Sequence, residues 1–173
     1  MKGSGPTFYG KYRGVVTNNR DPRLIGCIRA RVPDVYGDQE SGWALPALPF
    51  AGKEMGFFAV PSEGAGVWIE FECGDPDYPI WSGCWWGAAL EMPKLLGPPP
   101  PAGTEPKTLI TTKAGHSILL DDSPGGGGIT LQTPGGQKIV INAQGIEISN
   151  GQGASIKLTG KKVSINGNAL EVE

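Results

Sequence analysis

The sequence predicts an all-β protein built from two unlike domains, and three observations carry that prediction. Gly and Pro number 28 and 16, about a quarter of the 173 residues. That is too much backbone punctuation for long helices and suits short strands joined by turns. Apolar and polar residues alternate at period two in both halves, the mark of strands with one covered face. The aromatics, finally, are unevenly spread. All five tryptophans precede Gly87, while residues 108–173 contain no Phe, Tyr or Trp. The two halves therefore cannot share one kind of core. Four segments follow: a tail (1–7), a barrel (8–87), a Pro-rich linker (88–107) and a repetitive domain (108–173).

In the first domain, Tyr12 to Val16 and Ile25 to Val32 are strand candidates, separated by the turn-forming run Thr17-Asn18-Asn19-Arg20-Asp21-Pro22. Ile28, Ala30 and Val32 alternate with Arg29 and Arg31. Val67, Ile69 and Phe71 alternate with Trp68, Glu70 and Glu72. Gly74-Asp75-Pro76-Asp77 turns the chain into a strand from Ile80 to Trp85. Four or five such strands suit a closed or partly open barrel, which leaves no long sheet edge exposed. The segment Gly97-Pro98-Pro99-Pro100-Pro101-Ala102-Gly103 is expected to be extended and to lack a core.

The second domain repeats an apolar-x-apolar doublet: Ile118/Leu120, Ile129/Leu131, Ile139/Ile141, Ile146/Ile148, Ile156/Leu158, Val163/Ile165 and Leu170/Val172. Their starts are 11, 10, 7, 10, 7 and 7 residues apart. Each doublet reads as a very short strand with two inward side chains, and the repetition signals a stacked, quasi-one-dimensional structure. Burial is the physical problem. A doublet contributes roughly 3–6 kcal/mol, whereas ordering one repeat costs roughly 10 kcal/mol or more. Three chains wound about a common axis would let each doublet pack against two copies of itself and pair strand edges between chains. A single-chain β-helix is the alternative, and this length of chain would give it only about three coils. The trimeric β-helical needle is the preferred reading.

Several function classes lose support at this level. The formal net charge is −2, which recruits neither nucleic acid nor an anionic membrane. The first residues lack the apolar stretch of a signal peptide, and no run is long enough for a membrane helix. Synthesis in a cytoplasm without export by the usual secretory route is the expectation. Cys27, Cys73 and Cys84 form no CxxC pair and read as small buried hydrophobes.

Both halves resemble one family. Residues 8–87 look like the oligonucleotide/oligosaccharide-binding (OB) domain of phage baseplate assembly protein V, which also occurs in the VgrG spikes of type VI secretion. The resemblance lies in Ile28-Arg29-Ala30-Arg31-Val32-Pro33 and Val67-Trp68-Ile69-Glu70-Phe71-Glu72-Cys73-Gly74-Asp75. Thr112-Lys113-Ala114-Gly115-His116-Ser117-Ile118-Leu119-Leu120-Asp121-Asp122 resembles the entry into the needle of those spikes. The resemblance implies a homotrimer with OB domains under a ring-shaped hub and a β-helix aimed at the target membrane. It also implies a small conical PAAR-type tip protein, and residence in a virion baseplate or tail-like particle. Two departures stand out. No lysozyme-sized insert separates barrel from needle, and the regular short repeat of the longest needles is missing.

The candidate chemistry is thin. His116 is the only histidine, so any Ser-His-Asp or Cys-His site would have to use it. Surface or trimer packing is the simpler role, with an ion on a threefold axis as the rival. Asp121 and Asp122 are adjacent and in a strand point to opposite faces, so they read as a strand-ending turn and not as paired acid–base carboxylates. Gly125 to Gly128 lack the Lys-Ser/Thr and the helix of a phosphate cradle. The basic run Lys11, Arg13, Arg20, Arg23, Arg29 and Arg31 raises nucleic-acid binding. The acidic stretch that follows, from Asp34 to Asp77, suits protein contact better.

No catalytic residue, metal or cofactor is expected. The fourteen doublet residues are assigned to the trimer core. Asn166, Gly167, Asn168, Leu170 and Val172 are assigned to tip docking. Arg29, Arg31, Glu70 and Glu72 are hub or subunit interface candidates because these outward charges can pair across barrel strands or between neighbouring subunits; Trp85 and Trp86 join them because five tryptophans exceed what so small a barrel holds inside, two or three at most. The function expected is a central spike that joins hub to tip and helps pierce a cell envelope with only transient membrane contact. The alternative is a glycan- or nucleic-acid-binding OB module with a trimerising tail. A cell-wall hydrolase is a third reading, without a credible residue set.

Overall fold

A computed structural model describes residues 5–97, 107–167 and 169–172. It divides the chain between Glu91 and Met92. In the first unit, β1 (Tyr12–Asn18), β2 (Arg29–Arg31), β3 (Leu45–Pro46), β6 (Gly66–Phe71) and β7 (Pro79–Trp85) form a five-stranded sheet in the order β2-β1-β6-β7-β3. The sheet closes on itself. Bridges Ile28↔Ala44 and Arg31↔Glu40 join β2 to the segment leading into β3, which runs parallel to β7 at the other edge. A four-residue helix α1 (Pro33–Tyr36) follows β2. Two two-residue strands, β4 (Ala51–Gly52) and β5 (Met55–Gly56), make a separate hairpin arm.

The alternating residues fill the barrel as their period requires. Ile28, Ala30, Val32, Val67 and Ile69 are fully buried, with Val16, Ala44, Phe71 and Trp81 completing the core. Gly14 is the one core-facing position of β1 without a side chain. An added Cβ would lie 3.1 Å from Ile69 and 3.3 Å from Val32, so glycine lets β1 press against both. Phe8, Tyr12 and Tyr36 pack around Phe71 with ring centroids 5.5–6.0 Å apart. The Tyr36 hydroxyl donates to the Pro76 carbonyl at 2.6 Å. Burial, with Asp77 and Asp75 nearby, pushes its pKa up to about 12.

Three expectations need correction. The strand expected from Ile25 to Val32 is only Arg29–Arg31. Asp21 is buried and accepts the backbone N–H groups of Arg23 (2.9 Å), Ile25 (3.0 Å) and Cys27 (3.0 Å). Those donors are thereby lost to a ladder, and Leu24 and Gly26 take positive φ, so residues 21–27 form a carboxylate-organised loop. Of the cysteines, Cys27 alone is buried. Cys73 sits exposed in a tight turn at φ 52°, and Cys84 is exposed near the end of β7, just after Gly83. Of the tryptophans, only Trp81 is in the core, its Nε1 donating to Gly26 O at 3.0 Å.

The second unit is one eight-stranded antiparallel meander: β8 (Thr108–Thr111), β9 (Ser117–Asp121), β10 (Gly128–Gln132), β11 (Lys138–Asn142), β12 (Gly145–Ser149), β13 (Ser155–Thr159), β14 (Lys162–Ile165) and β15 (Leu170–Val172). The polar gaps between doublets are tight turns, so consecutive doublets pair with each other inside one chain. The edge pairing expected between chains is thus replaced, within the sheet, by neighbours in sequence. The Pro-rich run 98–103 lies outside the described residues.

Candidate functional site

The meander's register aligns the doublets into two unbroken rows. One row runs Ile110, Ile118, Leu131, Ile139, Ile148, Ile156, Ile165, Leu170. The other runs Leu120, Ile129, Ile141, Ile146, Leu158, Val163, Val172. From Ile118 to Ile165 these side chains are 36–43% exposed; Ile110 and Leu170, toward the sheet's edges, reach 56% and 53%. Glycine keeps the register at two turns. Gly128 (φ 145°) and Gly145 (φ 137°) stand just before a doublet, where a Cβ would strike the carbonyls of Ile141 and Leu158 respectively.

The opposite face is polar toward one end. Glu147 lies between Lys138 (3.8 Å) and Lys157 (3.3 Å), and these three occupy positions that alternate with the doublets. One chain thus carries a sheet whose two aliphatic rows are its more exposed positions, while the alternating positions, among them Leu109, Leu119, Val140 and Glu147, are half-buried. An open sheet of this kind is a surface waiting for a partner, because flat apolar faces pack against others about 10 Å away.

The acidic and histidine candidates do not converge. Asp121 ends β9, and its Oδ1 accepts the Ser123 N–H at 2.9 Å. Hydrogen bonds from Ser123 and the Lys107 ammonium 3.1 Å away hold its pKa near 2, down from 3.8. His116 is exposed in the turn before β9, where its backbone N–H reaches Thr112 Oγ1 at 3.2 Å. Of the tip candidates, Asn166 (φ 50°) accepts the Ser155 N–H with its side chain at 2.9 Å and donates its own N–H to Ser155 O at 2.8 Å. Gly167 (φ 69°) continues that turn. Asn168 lies outside the described residues, and Val172 is described by its backbone pairing with Val163.

On the barrel, the interface candidates scatter. Arg29 stacks 5.0 Å over Trp43 and approaches Glu40 at 3.8 Å. Glu70 takes Lys11 at 3.0 Å. Hydrogen bonds from Ser82 and Lys11 lower its pKa. Glu72 is exposed at the turn after β6. The arginines of β2 do not meet Glu70 of β6 within the sheet, because β1 lies between those strands. Trp86 is 59% exposed.

Trp85 belongs to a platform that the sequence reading did not assemble. Arg31, Val15, Gly66 and Trp85 follow one another across the strands. The Trp85 ring lies over Gly66, where a Cβ would come within 2.7 Å of it, and its Nε1 donates to Val67 O at 3.1 Å. Trp68 packs beside it at 6.3 Å, and Arg13 covers both rings at 5.8 and 5.2 Å. Only the strand register reveals this grouping, since its members are up to 72 residues apart.

Comparison with known proteins decides the family. Residues 12–86 match the type VI secretion system/phage-baseplate injector OB domain, and residues 107–171 match the phage baseplate V C-terminal trimerisation domain. The chain belongs to the phage baseplate V spike family. Its relatives include the type VI secretion system spike protein VgrG5 of Pseudomonas aeruginosa, 29% identical over 71% of this chain and 18% of that protein. VgrG4b of the same species is 39% identical over 34% of this chain and 7% of its own length. The actin cross-linking toxin VgrG1 of Vibrio cholerae is 39% identical over 34% of this chain and 5% of its own. The chain spans less than a fifth of the curated relatives it matches. From Ile110 to Leu170 the two rows lie in the segment that matches the trimerisation domain.

Proposed function

We propose that this chain is the structural central spike of a contractile injection system, and that its role is mechanical. The observation that carries the proposal is the pair of apolar rows on the meander, part-exposed in one chain and lying, from Ile110 to Leu170, in the segment that matches the trimerisation domain. Three copies bury those rows on a common axis and leave the Lys138–Glu147–Lys157 face to solvent. The doublets, from Ile118/Leu120 to Leu170/Val172, form the trimer core. The OB barrels sit against a ring-shaped hub, with Arg29, Arg31, Glu70, Glu72, Trp85 and Trp86 as the residues from which hub or subunit contacts are drawn. A small PAAR-type tip protein docks at residues 166–172. The particle is a phage tail or a related bacterial device, and the target membrane is touched only during contraction.

Nucleic-acid binding finds little support. Three members of the basic N-terminal run, Lys11, Arg23 and Arg29, lie within 4 Å of acidic partners in the same barrel, which leaves no continuous cationic track. Light scattering on the purified chain tests the proposal. A mass three times 18.2 kDa is expected, and a folded monomer at micromolar concentration overturns it.

A further inference from the structure

The barrel carries a second exposed apolar feature, the arm of β4 and β5. Phe50, Met55, Phe57 and Phe58 are 57%, 67%, 45% and 68% exposed. The arm holds only two residue pairs, and so small a hairpin is not stable on its own in water. Just beyond it, the Phe58 ring lies against Gly26, where an added Cβ would come within 3.1 Å of it. The hairpin's turn is Lys53-Glu54, with Glu54 at φ 58°.

Elsewhere on the barrel is a groove of about 410 Å³, lined by Arg13, Val15, Thr17, Arg31, Pro33 and Trp85. Val15 is 42% exposed within it. Neither Arg13 nor Arg31 forms an ion pair with a described residue. The groove's lining is thus mainly apolar, with the guanidinium groups of Arg13 and Arg31 in it. The arm's strand residues are apolar, and its turn carries the Lys53 ammonium and the Glu54 carboxylate side by side.

A threefold assembly needs two different patches on every subunit, one to give and one to receive, because its contacts are heterologous. We infer that the β4–β5 arm of one barrel docks into the Arg13–Trp85 groove of the next copy in the trimer, with Glu54 against Arg13 and Arg31. The inference rests on the trimeric reading. Trimerisation through the second unit tethers three barrels at an effective concentration on the order of millimolar, so a modest contact suffices. Met55 and Phe57 then lie over Val15 and Trp85, and the arm gains from the neighbour the support that its two residue pairs do not supply.

Photo-cross-linking on the full chain tests it. p-Benzoylphenylalanine replaces the aromatic residue at position 57, and isotopically heavy and light chains are mixed before assembly. The expected product is a heavy–light peptide pair joining position 57 to residues 13–17 or Trp85. Glu54→Arg should cut its yield at least fivefold, and adding Arg31→Glu should restore most of it. Lys53→Ala should leave it unchanged. Links confined to one chain, links elsewhere on the neighbour, or no link in a particle of trimeric mass would each overturn the inference. So would charge variants without effect. A monomeric mass in the same samples would instead sink the trimeric reading.

Discussion

The Asp21 carboxylate and the Cys27 amide stand six residues apart and meet at 3.0 Å, closing a loop that ends where β2 begins. Burial alone would raise the Asp21 pKa. The backbone N–H groups of Arg23, Cys27 and Ile25 outweigh it and bring the value to about 2, from 3.8. The folded-state value is therefore the lower one. The stability this group contributes is complete above pH 3.8 and is lost as pH falls toward 2. Asp21→Ala should lower the barrel's melting midpoint by roughly 5 °C or more at neutral pH, and should flatten the acid limb of midpoint against pH. An unchanged acid limb, followed by circular dichroism, would remove Asp21 from that role.

The doublets give a discriminating measurement. Ile148 is 43% exposed in a single chain, so Ile148→Ala should cost no more than about 0.5 kcal/mol if the sheet stays solvated. If the row is covered on a threefold axis, the cost should be about 2–4 kcal/mol per chain. The larger value is expected, from denaturant unfolding monitored at constant protein concentration.

The other face should behave oppositely. Lys138, Glu147 and Lys157 form a half-exposed ladder, so Glu147→Ala should cost at most about 1 kcal/mol, less at high salt. Trimer mass should be unaffected. Loss of the trimer on this change would place the axis on the wrong side of the sheet.

Gly66 is the seat of the Trp85 ring. Gly66→Val should displace that ring and cost about 1–3 kcal/mol, with a red shift in tryptophan emission as Trp85 moves toward water. An unshifted spectrum would show that the ring does not rest there.

At the last strand, Leu170→Asp combined with Val172→Asp should prevent tip-protein docking and leave the barrel folded. Unchanged affinity of a PAAR-type protein for the doubly substituted spike would refute docking at this place.

The fold was legible wherever side chains alternate. The doublets needed only their period to give strands, and residues 67–71 likewise announced both face and partner character. The loop at Asp21 was not legible as a loop, because Ile25 to Val32 looks like an alternating run until a carboxylate takes its N–H groups. The arm at Ala51 to Gly56 was missed since its two-residue strands leave no period to read. The outward charges Arg29 and Arg31 of β2 suit pairing with Glu70 of β6 and Glu72 just after it. Their separation by β1 is a matter of strand order, which no local pattern states. The platform of Arg13, Trp68 and Trp85 was invisible for the same reason.

The meander also sets a length. Its strands lie side by side, each joined to its sequence neighbour, and adjacent strands are about 4.8 Å apart. Two further doublets inserted at any of its turns would lengthen the sheet by about 10 Å. Both rows would keep their register, and every other strand its direction. A chain of this design is a shaft that evolution can extend or shorten in hairpin increments, so reach can change while the barrel stays as it is.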